Sequence, residues 1–257
     1  MISLGTPEVD GLLEGGVPKG SSVFLEVDEG SSAFSLPLFF LAEALNHGGG
    51  GIVTTFERPF VEIIKDLERV DVDARECIES ERLFIIDSYV KTLGLGDKSF
   101  LKDPISKKIY FTPFLLNKVA FLTKLCANKL MEKGIKDIRV WFCDVGYLIS
   151  EKDVQAVSRF LKHIIPYSKA NEMTLLACGP SPKVSTRVRL LEIAFDVIIR
   201  TETVEKEDMF QRKIGIVKAR FIPHENILGE YSLTEKGHMS FSFPEKVARK
   251  LEKFKLK

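Results

Sequence analysis

The segment between residues 21 and 45 has the outline of a phosphate-binding loop. It reads SSVFLEVDEGSSAFSLPLFFLAEAL, which predicts a buried strand, a short Gly/Ser loop and an apolar helix. In a loop of the GxxxxGK[ST] type, backbone N–H groups and a Lys side chain surround the phosphate oxygens. This chain has no Lys between Lys19 and Lys65, so no alignment of that pattern supplies the ammonium group. The segment contains three carboxylates instead, Glu26, Asp28 and Glu29.

The missing cation has an electrostatic consequence of known size. A hydrogen bond from Lys to phosphate contributes about 1.5–3 kcal/mol after solvation losses. Each carboxylate close to a phosphate adds a repulsion of about 1 kcal/mol or more. The sequence therefore predicts that conventional binding of a nucleoside triphosphate is lost. Its hydrolysis is expected to be weaker still, because Lys and Mg²⁺ neutralise the charge on the transferred phosphoryl group.

The composition predicts a globular chain with a substantial core. The 257 residues are 45% hydrophobic and 28% charged, with a net charge of +1. This balance gives no overall attraction to nucleic acid or to a membrane. The N-terminus lacks the pattern of a signal peptide, and the longest apolar run is too short to span a bilayer. We therefore expect a cytoplasmic protein, and its two Gln among many Lys and Glu suggest a thermophilic host.

The cysteines and histidines favour no metal site. The four Cys have no CxxC spacing, and none of the four His forms a paired ligand motif with a Cys. We expect reduced, mostly buried thiols at Cys77, Cys126, Cys143 and Cys178.

Strand and helix patterns alternate along most of the chain. Apolar strands are predicted over 22–27, 51–56, 82–88, 138–144, 173–178 and 196–202. Helices are predicted between them, over 36–46, 59–70, 113–133, 152–169 and 186–194. Unbroken apolar strands separated by helices indicate a parallel sheet that is covered on both faces. The fold class is therefore α/β.

The C-terminal part of the chain has a different pattern. Residues 213–223, 227–237 and 238–243 alternate in polarity, which is typical of antiparallel strands at the edge of a sheet. Residues 94–108 are predicted to be an irregular insertion. Residues 244–257 carry six basic and two acidic residues and predict a short amphipathic helix. We divide the chain into one domain over 1–243 and a basic tail over 244–257.

Several short motifs, taken in their order, resemble those of one family. They are the opening GTPEVDGLLEGGVPKGS, the strand end VTTFERP, the strand RVWFCD, the segment VKAR with His224, and YSLTEKGH. This series resembles the KaiC/RadA branch of the RecA-like ATPases over about residues 4–243. The resemblance implies one RecA-like domain with a mainly parallel twisted sheet, helices on both faces and a C-terminal antiparallel hairpin extension.

The resemblance fails at the phosphate-binding loop, known as Walker A. Two of the family's three loop glycines fall on Val27 and Ser32, and the third falls on Gly30. Its Lys falls on Ala33, and its Mg²⁺-holding Thr falls on Phe34. We regard the vestigial loop as comprising Gly30, Ser31, Ser32 and Ser35, of which Ser35 could take the hydroxyl role only after a one-residue shift.

A proline further constrains the loop. Pro37 would clash with the carbonyl of Ala33 if the helix were already running there. The helix is therefore predicted to begin near Ser35, about two residues later than a phosphate site requires.

Two carboxylates match the family's catalytic positions. Asp144 ends an apolar strand at the Walker B position, where it would hold Mg²⁺ through water. The alternative is a strand-end Asp that caps the next turn. Glu57 matches the residue that is expected to polarise the attacking water, with Arg58 at the family's second Glu position. Alternatively, Glu57 is a relic that has lost this catalytic role, or a residue that stands at the start of the next helix.

Three further residues match positions that, in the family, reach across a subunit boundary towards the neighbour's nucleotide. They are Lys218, Arg220 and His224. In this chain they could pair with carboxylates of a neighbouring subunit, among them Glu26, Asp28 and Glu29. The alternative is an ordinary solvated edge strand.

We therefore predict a degenerate KaiC-like protein that does not hydrolyse ATP and acts through protein or peptide contacts, as a homo-oligomer or with active paralogues. No cofactor or metal is expected. One alternative is an unorthodox ATPase, with ATP and Mg²⁺ as cofactors, that takes its cation from a neighbour or from Arg58. Another is a single-stranded DNA-binding paralogue, but its best loop, residues 181–189, lacks an aromatic residue, so nucleic acid is not the expected partner.

Overall fold

The computed structural model describes residues 1–28, 30–31, 33–90, 100–182, 186–207, 209–234, 239–245 and 247–248. Glu29 and Ser32 of the first loop lie outside the described residues, as does most of the predicted tail helix. The domain boundary at residue 243 and the helix after it therefore stay predictions.

Ten strands form one sheet. They are β1 (Ser22–Val27), β2 (Gly50–Thr55), β3 (Leu83–Asp87), β4 (Tyr110–Phe111), β5 (Ile138–Cys143), β6 (Thr174–Pro180), β7 (Val197–Lys206), β8 (Met209–Ala219), β9 (Leu228–Leu233) and β10 (Met239–Ser242). Their spatial order is β10-β9-β8-β7-β1-β6-β5-β2-β3-β4. The strands from β7 to β4 in that order pair in parallel, and β8, β9 and β10 add antiparallel pairs.

Helices cover both faces of this sheet. They are α1 (Pro7–Leu12), α2 (Ser35–Asn46), α3 (Phe60–Arg69), α4 (Ala74–Glu79), α5 (Leu116–Glu132), α6 (Val145–Glu151), α7 (Val154–Ala170) and α8 (Arg189–Glu192). Helices α1–α4 contribute to one buried apolar cluster, and α5–α8 contribute to a second on the opposite face. The predicted α/β class, with a mainly parallel sheet and antiparallel C-terminal strands, is confirmed.

Side-chain alternation along β1 decides which face each residue meets. Val23, Leu25 and Val27 belong to the cluster beneath α1–α4, whereas Phe24 belongs to the cluster beneath α5–α8. Because successive strand residues point to opposite faces, Glu26 shares the side of Phe24. This placement matters for the site, since the loop after β1 begins one residue beyond Val27.

Some short elements were not predicted. Helices α4 and α6 and the two-residue strand β4 span too few residues to show a periodic pattern. The described part of the predicted insertion, residues 100–108, forms two 3₁₀ turns rather than an irregular loop. Strands β7 and β8 extend beyond the predicted ranges, because they pair as one long hairpin out to Lys206 and Met209.

The four cysteines are free and buried, as predicted. Within the described part of the chain, no group of three or more His, Cys, Asp or Glu is placed to hold a metal ion. No helix among those residues has the length and apolar character needed to cross a membrane.

Candidate functional site

The candidate site lies at the C-terminal edge of the parallel strands. The loop after β1, Glu57 after β2 and Asp144 after β5 all follow parallel strands, so they lie along the same edge of the sheet. Open α/β sheets bind their ligands in the crevice at this edge. The sequence-predicted loop, Walker B position and catalytic carboxylate are therefore brought to one side of the molecule.

Helix α2 begins at Ser35, as the position of Pro37 predicted. Pro37 lies in the first turn, where its missing N–H breaks no intrahelical hydrogen bond. Phe34 precedes the helix, provides no side-chain cap, and packs partly buried against the core. Ala33, which matches the family's Lys, has 0% of its surface exposed. The position expected to present a cation to phosphate is thus enclosed by protein.

Glu26 is not in the loop, which corrects the sequence interpretation. Its side chain has 0% exposure and forms a salt bridge with Nε of Arg200, its neighbour across the β1–β7 pair. The cause is strand alternation, which turns Glu26 away from the face of α2. Burial raises the pKa of Glu26, while Arg200 lowers it and Glu192 raises it. This carboxylate is therefore paired within the chain.

Asp28 also has a partner within the chain. Its carboxylate accepts a hydrogen bond of 2.9 Å from the backbone N–H of Thr203, and its own N–H donates to Oγ1 of Thr201 at 3.2 Å. Both threonines belong to β7. Two of the three carboxylates that sequence assigned to the loop are thus held by β7 and its side chains, and the third, Glu29, lies outside the described residues.

The carbonyls of the loop are bound by residues from the C-terminal strands. Arg212 of β8 donates from Nε to the carbonyl of Gly30 at 2.9 Å. The hydroxyl of Tyr231 in β9 donates to the carbonyl of Ser31. Gly30 has φ of +76°, a conformation that favours glycine. The loop is therefore fastened to the antiparallel extension by side chains of β8 and β9.

The loop hydroxyls are less well satisfied. Oγ of Ser31 and Oγ of Ser35 are both buried and have no hydrogen-bond partner among the described residues. Ser31 is fully buried, and its backbone N–H closes a turn with the carbonyl of Asp28 at 3.1 Å. The two vestigial serines that the structure describes thus face the protein interior.

Asp144 caps helix α6. Its Oδ1 accepts a hydrogen bond of 2.5 Å from the N–H of Gly146. Burial raises the pKa of Asp144 to about 7, and the charge of nearby Glu57 contributes to that increase. Glu57 itself lies with Oε1 3.7 Å from Sγ of Cys143. The geometry is that of the capping alternative, and the Walker B role of Asp144 stays a prediction.

Arg58 directly follows Glu57 in the sequence. Its Nη1 donates to Oδ2 of Asp66 at 2.5 Å, and its guanidinium lies 6.0 Å from the ring centroid of Trp141. Its Nε and Nη2 are buried without a hydrogen-bond acceptor in the described ranges. Arg58 is thus only partly satisfied within this crevice.

Lys218 and Arg220 contact backbone carbonyls at and just after the C-terminal end of α8. Nζ of Lys218 donates to the carbonyls of Glu192 and Phe195 at 3.0 and 2.6 Å, and Nη2 of Arg220 donates to the carbonyl of Ile193 at 3.0 Å. Burial lowers the pKa of Lys218, and the charge of Arg220 adds to this effect. His224 has Nδ1 3.1 Å from the carbonyl of Ile222. Their proposed contact with a neighbouring subunit stays a prediction.

Comparison with known proteins identifies the family. A family model described as the KaiC ATPase matches residues 2–240, which is nearly the whole chain. The chain belongs to the KaiC family. A UPF0273 protein from Aeropyrum pernix is 24% identical over 257 residues, a match covering 96% of this chain and 95% of that protein. The circadian clock protein KaiC2 from Synechocystis is 20% identical, and the match covers 89% of this chain but 38% of KaiC2.

A solved structure agrees with this assignment at the level of the fold. The crystal structure of a KaiC-like protein from Pyrococcus horikoshii superposes with a TM-score of 0.74 at 15% identity. The superposition covers 95% of this chain and 98% of the other. The resemblance to the KaiC-like branch, first inferred from short motifs, is confirmed.

Sequence reasoning missed the residues that hold the first loop, and the strand β1 before it, in this KaiC-family chain. Arg200, Arg212 and Tyr231 follow the loop by about 170–200 positions, and no local motif connects them to it. One signal was available. Glu26 is a charged residue near the end of a mostly apolar strand, and a buried charge is rare in proteins unless it is paired.

Tyr231→Phe is expected to destabilise the protein by about 1–2 kcal/mol, because the buried carbonyl of Ser31 loses its donor. Chemical denaturation measures this change, and hydrogen exchange locates it at residues 30–36. Tyr167→Phe is the matched control, since the Tyr167 hydroxyl donates to Asn128 at the surface, 3.1 Å away. Equal losses in the two variants would mean that Tyr231 does not fasten the loop.

Proposed function

We propose that this KaiC-family chain is a non-hydrolysing binding or regulatory module that acts through protein or peptide contacts. The observation that carries the proposal is the loop between β1 and α2, whose carbonyls and acidic side chain are already bound by Arg212, Tyr231 and Thr203. The loop is thus held by β7, β8 and β9 through the chain's own groups, and it has no Lys with which to attract a triphosphate.

Two basic side chains of β7 and β8 have partners within the chain. Arg200 pairs with Glu26 on the face opposite α2, and Arg212 is directed at the carbonyl of Gly30. Ala33 is enclosed, and Phe34 adds an aromatic ring where the family places its Mg²⁺ ligand. These features support a scaffold that has kept its shape while its phosphate chemistry has been lost.

Several expectations accompany the proposal. We expect no ATP or Mg²⁺ cofactor and no role as an ATPase. A protein or peptide is the expected partner, and assembly with itself or with active paralogues is consistent with family membership. The expected location is the cytoplasm. Nucleic acid is not the expected ligand, since the near-neutral charge provides no general attraction to phosphate backbones.

Isothermal titration with Mg-ATP tests the proposal. No heat of binding is expected at millimolar ATP, which corresponds to a binding free energy weaker than about −4 kcal/mol. Phosphate release is expected to equal that of a buffer blank. Micromolar binding accompanied by turnover would falsify the proposal.

An unorthodox ATPase is the second candidate, and Arg58 is the observation in its favour. The buried Nε and Nη2 of Arg58 have no acceptor among the residues described, and Glu57 is adjacent. A phosphate oxygen is a good acceptor for such a guanidinium. If Mg-ATP binds, Arg58→Gln is expected to abolish that binding, whereas Lys65→Gln on the exposed face of α3 leaves it intact.

A further inference from the structure

A groove lies between α7 and α8, on the face of the sheet opposite α2. The cavity has a volume of about 620 Å³, and its walls include Arg159, Lys162, Leu190, Ile193 and Arg220. We call it the α7–α8 groove. Neither the loop after β1 nor Asp144 contributes to its walls.

The groove exposes apolar side chains that the fold does not cover. Leu190 is 54% exposed and Ile193 is 68% exposed. The two lie three positions apart, at and just beyond α8, and both line the same cavity. Contiguous exposed apolar surface within a polar rim is typical of a surface that binds another chain.

The charged rim of the groove has one sign. Arg159, Lys162 and Arg220 line it, and no Asp or Glu is among its wall residues. Within the described ranges, Arg159 and Lys162 form no ion pair, and Arg220 contacts a backbone carbonyl rather than a carboxylate. These three cations have no carboxylate partner within the described ranges. Acidic groups of a partner would therefore be attracted to them and would reduce their mutual repulsion.

The groove continues across α7. Arg159 also lines a second hollow of about 340 Å³, whose other walls include Leu116, Ala120, Phe160 and His163. The combined surface runs from α8 over α7 to α5. An elongated, partly apolar surface suits an extended or helical segment better than a compact anion, which would use the cations and leave the apolar walls uncovered.

We propose that the α7–α8 groove binds an acidic amphipathic segment of another protein. Leucine-like side chains of that segment pack on Leu190 and Ile193, and its Asp or Glu side chains pair with Arg159, Lys162 and Arg220. This inference rests on the proposed function, because it gives the binding module a site and a class of partner. Exposed ion pairs are screened by salt, so the affinity falls as ionic strength rises.

The proposal is tested by selecting peptides that bind the full chain from a phage-displayed library of random sequences. The peptides have about 16 residues, which span roughly 24 Å as a helix. The expected enriched sequences combine Asp or Glu with Leu, Ile or Phe. Fluorescence anisotropy with one labelled enriched peptide then measures its Kd. Arg159→Glu/Lys162→Glu and Ile193→Ser are each expected to weaken binding about tenfold or more, as one lost charge-assisted contact or buried side chain does.

Lys65→Glu/Lys136→Glu is the matched control, since both side chains are exposed cations outside the groove. It is expected to leave the Kd unchanged. The proposal is overturned if no peptide is enriched, if enriched peptides carry no negative charge, or if the two double variants weaken binding equally. Displacement of the peptide by inorganic phosphate alone would assign the groove to a small anion instead.

The outcome is separable from that of the ATP titration. Mg-ATP binding together with groove-dependent peptide binding would remove the non-hydrolysing assignment and retain the groove. If neither Mg-ATP nor any peptide binds, the proposed loss of ATP binding stands and the proposed peptide site in the α7–α8 groove is rejected.

Discussion

Arg200→Met is expected to lower the free energy of unfolding by about 3–5 kcal/mol at pH 7, because it leaves the buried carboxylate of Glu26 without its cationic partner. Oε1 of Glu26 already lacks a partner within the described chain, so Arg200 provides the main compensation. The pKa of Glu26 is raised by burial and rises further once the guanidinium is removed. Guanidinium chloride denaturation of the variant and the wild type measures the loss.

The loss in Arg200→Met has a predicted pH dependence. A carboxyl whose folded-state pKa is raised keeps its proton in the folded chain while the unfolded chain ionises near the ordinary value. Stability is therefore present at low pH and decreases as pH rises. We expect a smaller difference between Arg200→Met and the wild type at pH 4 than at pH 8.

Two controls separate a buried pair from a surface pair. Glu26→Leu/Arg200→Met removes both charges and is expected to recover much of the lost stability. Arg75→Met breaks an exposed pair with Asp103, where Nη2 and Oδ2 are 2.8 Å apart, and is expected to cost less than about 1 kcal/mol. Comparable losses in Arg75→Met and Arg200→Met would contradict the assignment of Glu26 as the buried member of a stabilising pair.

Asp144→Asn is expected to stabilise the protein at pH 8 by up to about 4 kcal/mol and to change its stability little at pH 4. The pKa of Asp144 is raised from 3.8 to about 7, mainly by burial. Between these values the unfolded chain loses the proton and the folded chain keeps it, so the wild type loses stability as pH rises. Asn has no proton to lose, and it caps a helix as well as Asp does.

Asp153→Asn is the control for this experiment, because Asp153 caps α7 from an exposed position. This variant makes the same Asp-to-Asn change at a helix cap on the protein surface. Millimolar Mg²⁺ is expected to leave the pH profile of the wild type unchanged, since the proposed function assigns Asp144 no metal. A profile that flattens when Mg²⁺ is added would indicate a retained Walker B role.

The fold was predictable because its signals are local. Apolar runs such as those of β1 and β5, separated by amphipathic helices, are sufficient to indicate a parallel sheet with two covered faces. The start of α2 was predictable from Pro37, because a proline restricts where a helix can begin. The short elements β4, α4 and α6 carried no such signal, since each depends on packing against longer elements.

The candidate site was predictable in position but not in its contacts. The loop, Glu57 and Asp144 lie at one sheet edge, because each follows a strand of the parallel sheet that the sequence predicted. The sequence interpretation of Glu26 was wrong. The strand over 22–27 was predicted, but Glu26 within it was still counted as a loop carboxylate, and side-chain alternation turns it to the face of Phe24. The contacts of Arg212 and Tyr231 depend on tertiary pairing, which a single sequence does not report.

The fastening of the loop by β8 and β9 has a consequence for biosynthesis. Gly30 and Ser31 leave the ribosome long before Arg212 and Tyr231, and their carbonyls meet these donors only after the last strands have been added. Pairings between residues so distant in the chain form late and slowly. A nascent chain that ends before residue 209 would thus present the carbonyls of Gly30 and Ser31 without these donors, and closure of the loop would follow the synthesis of β8 and β9.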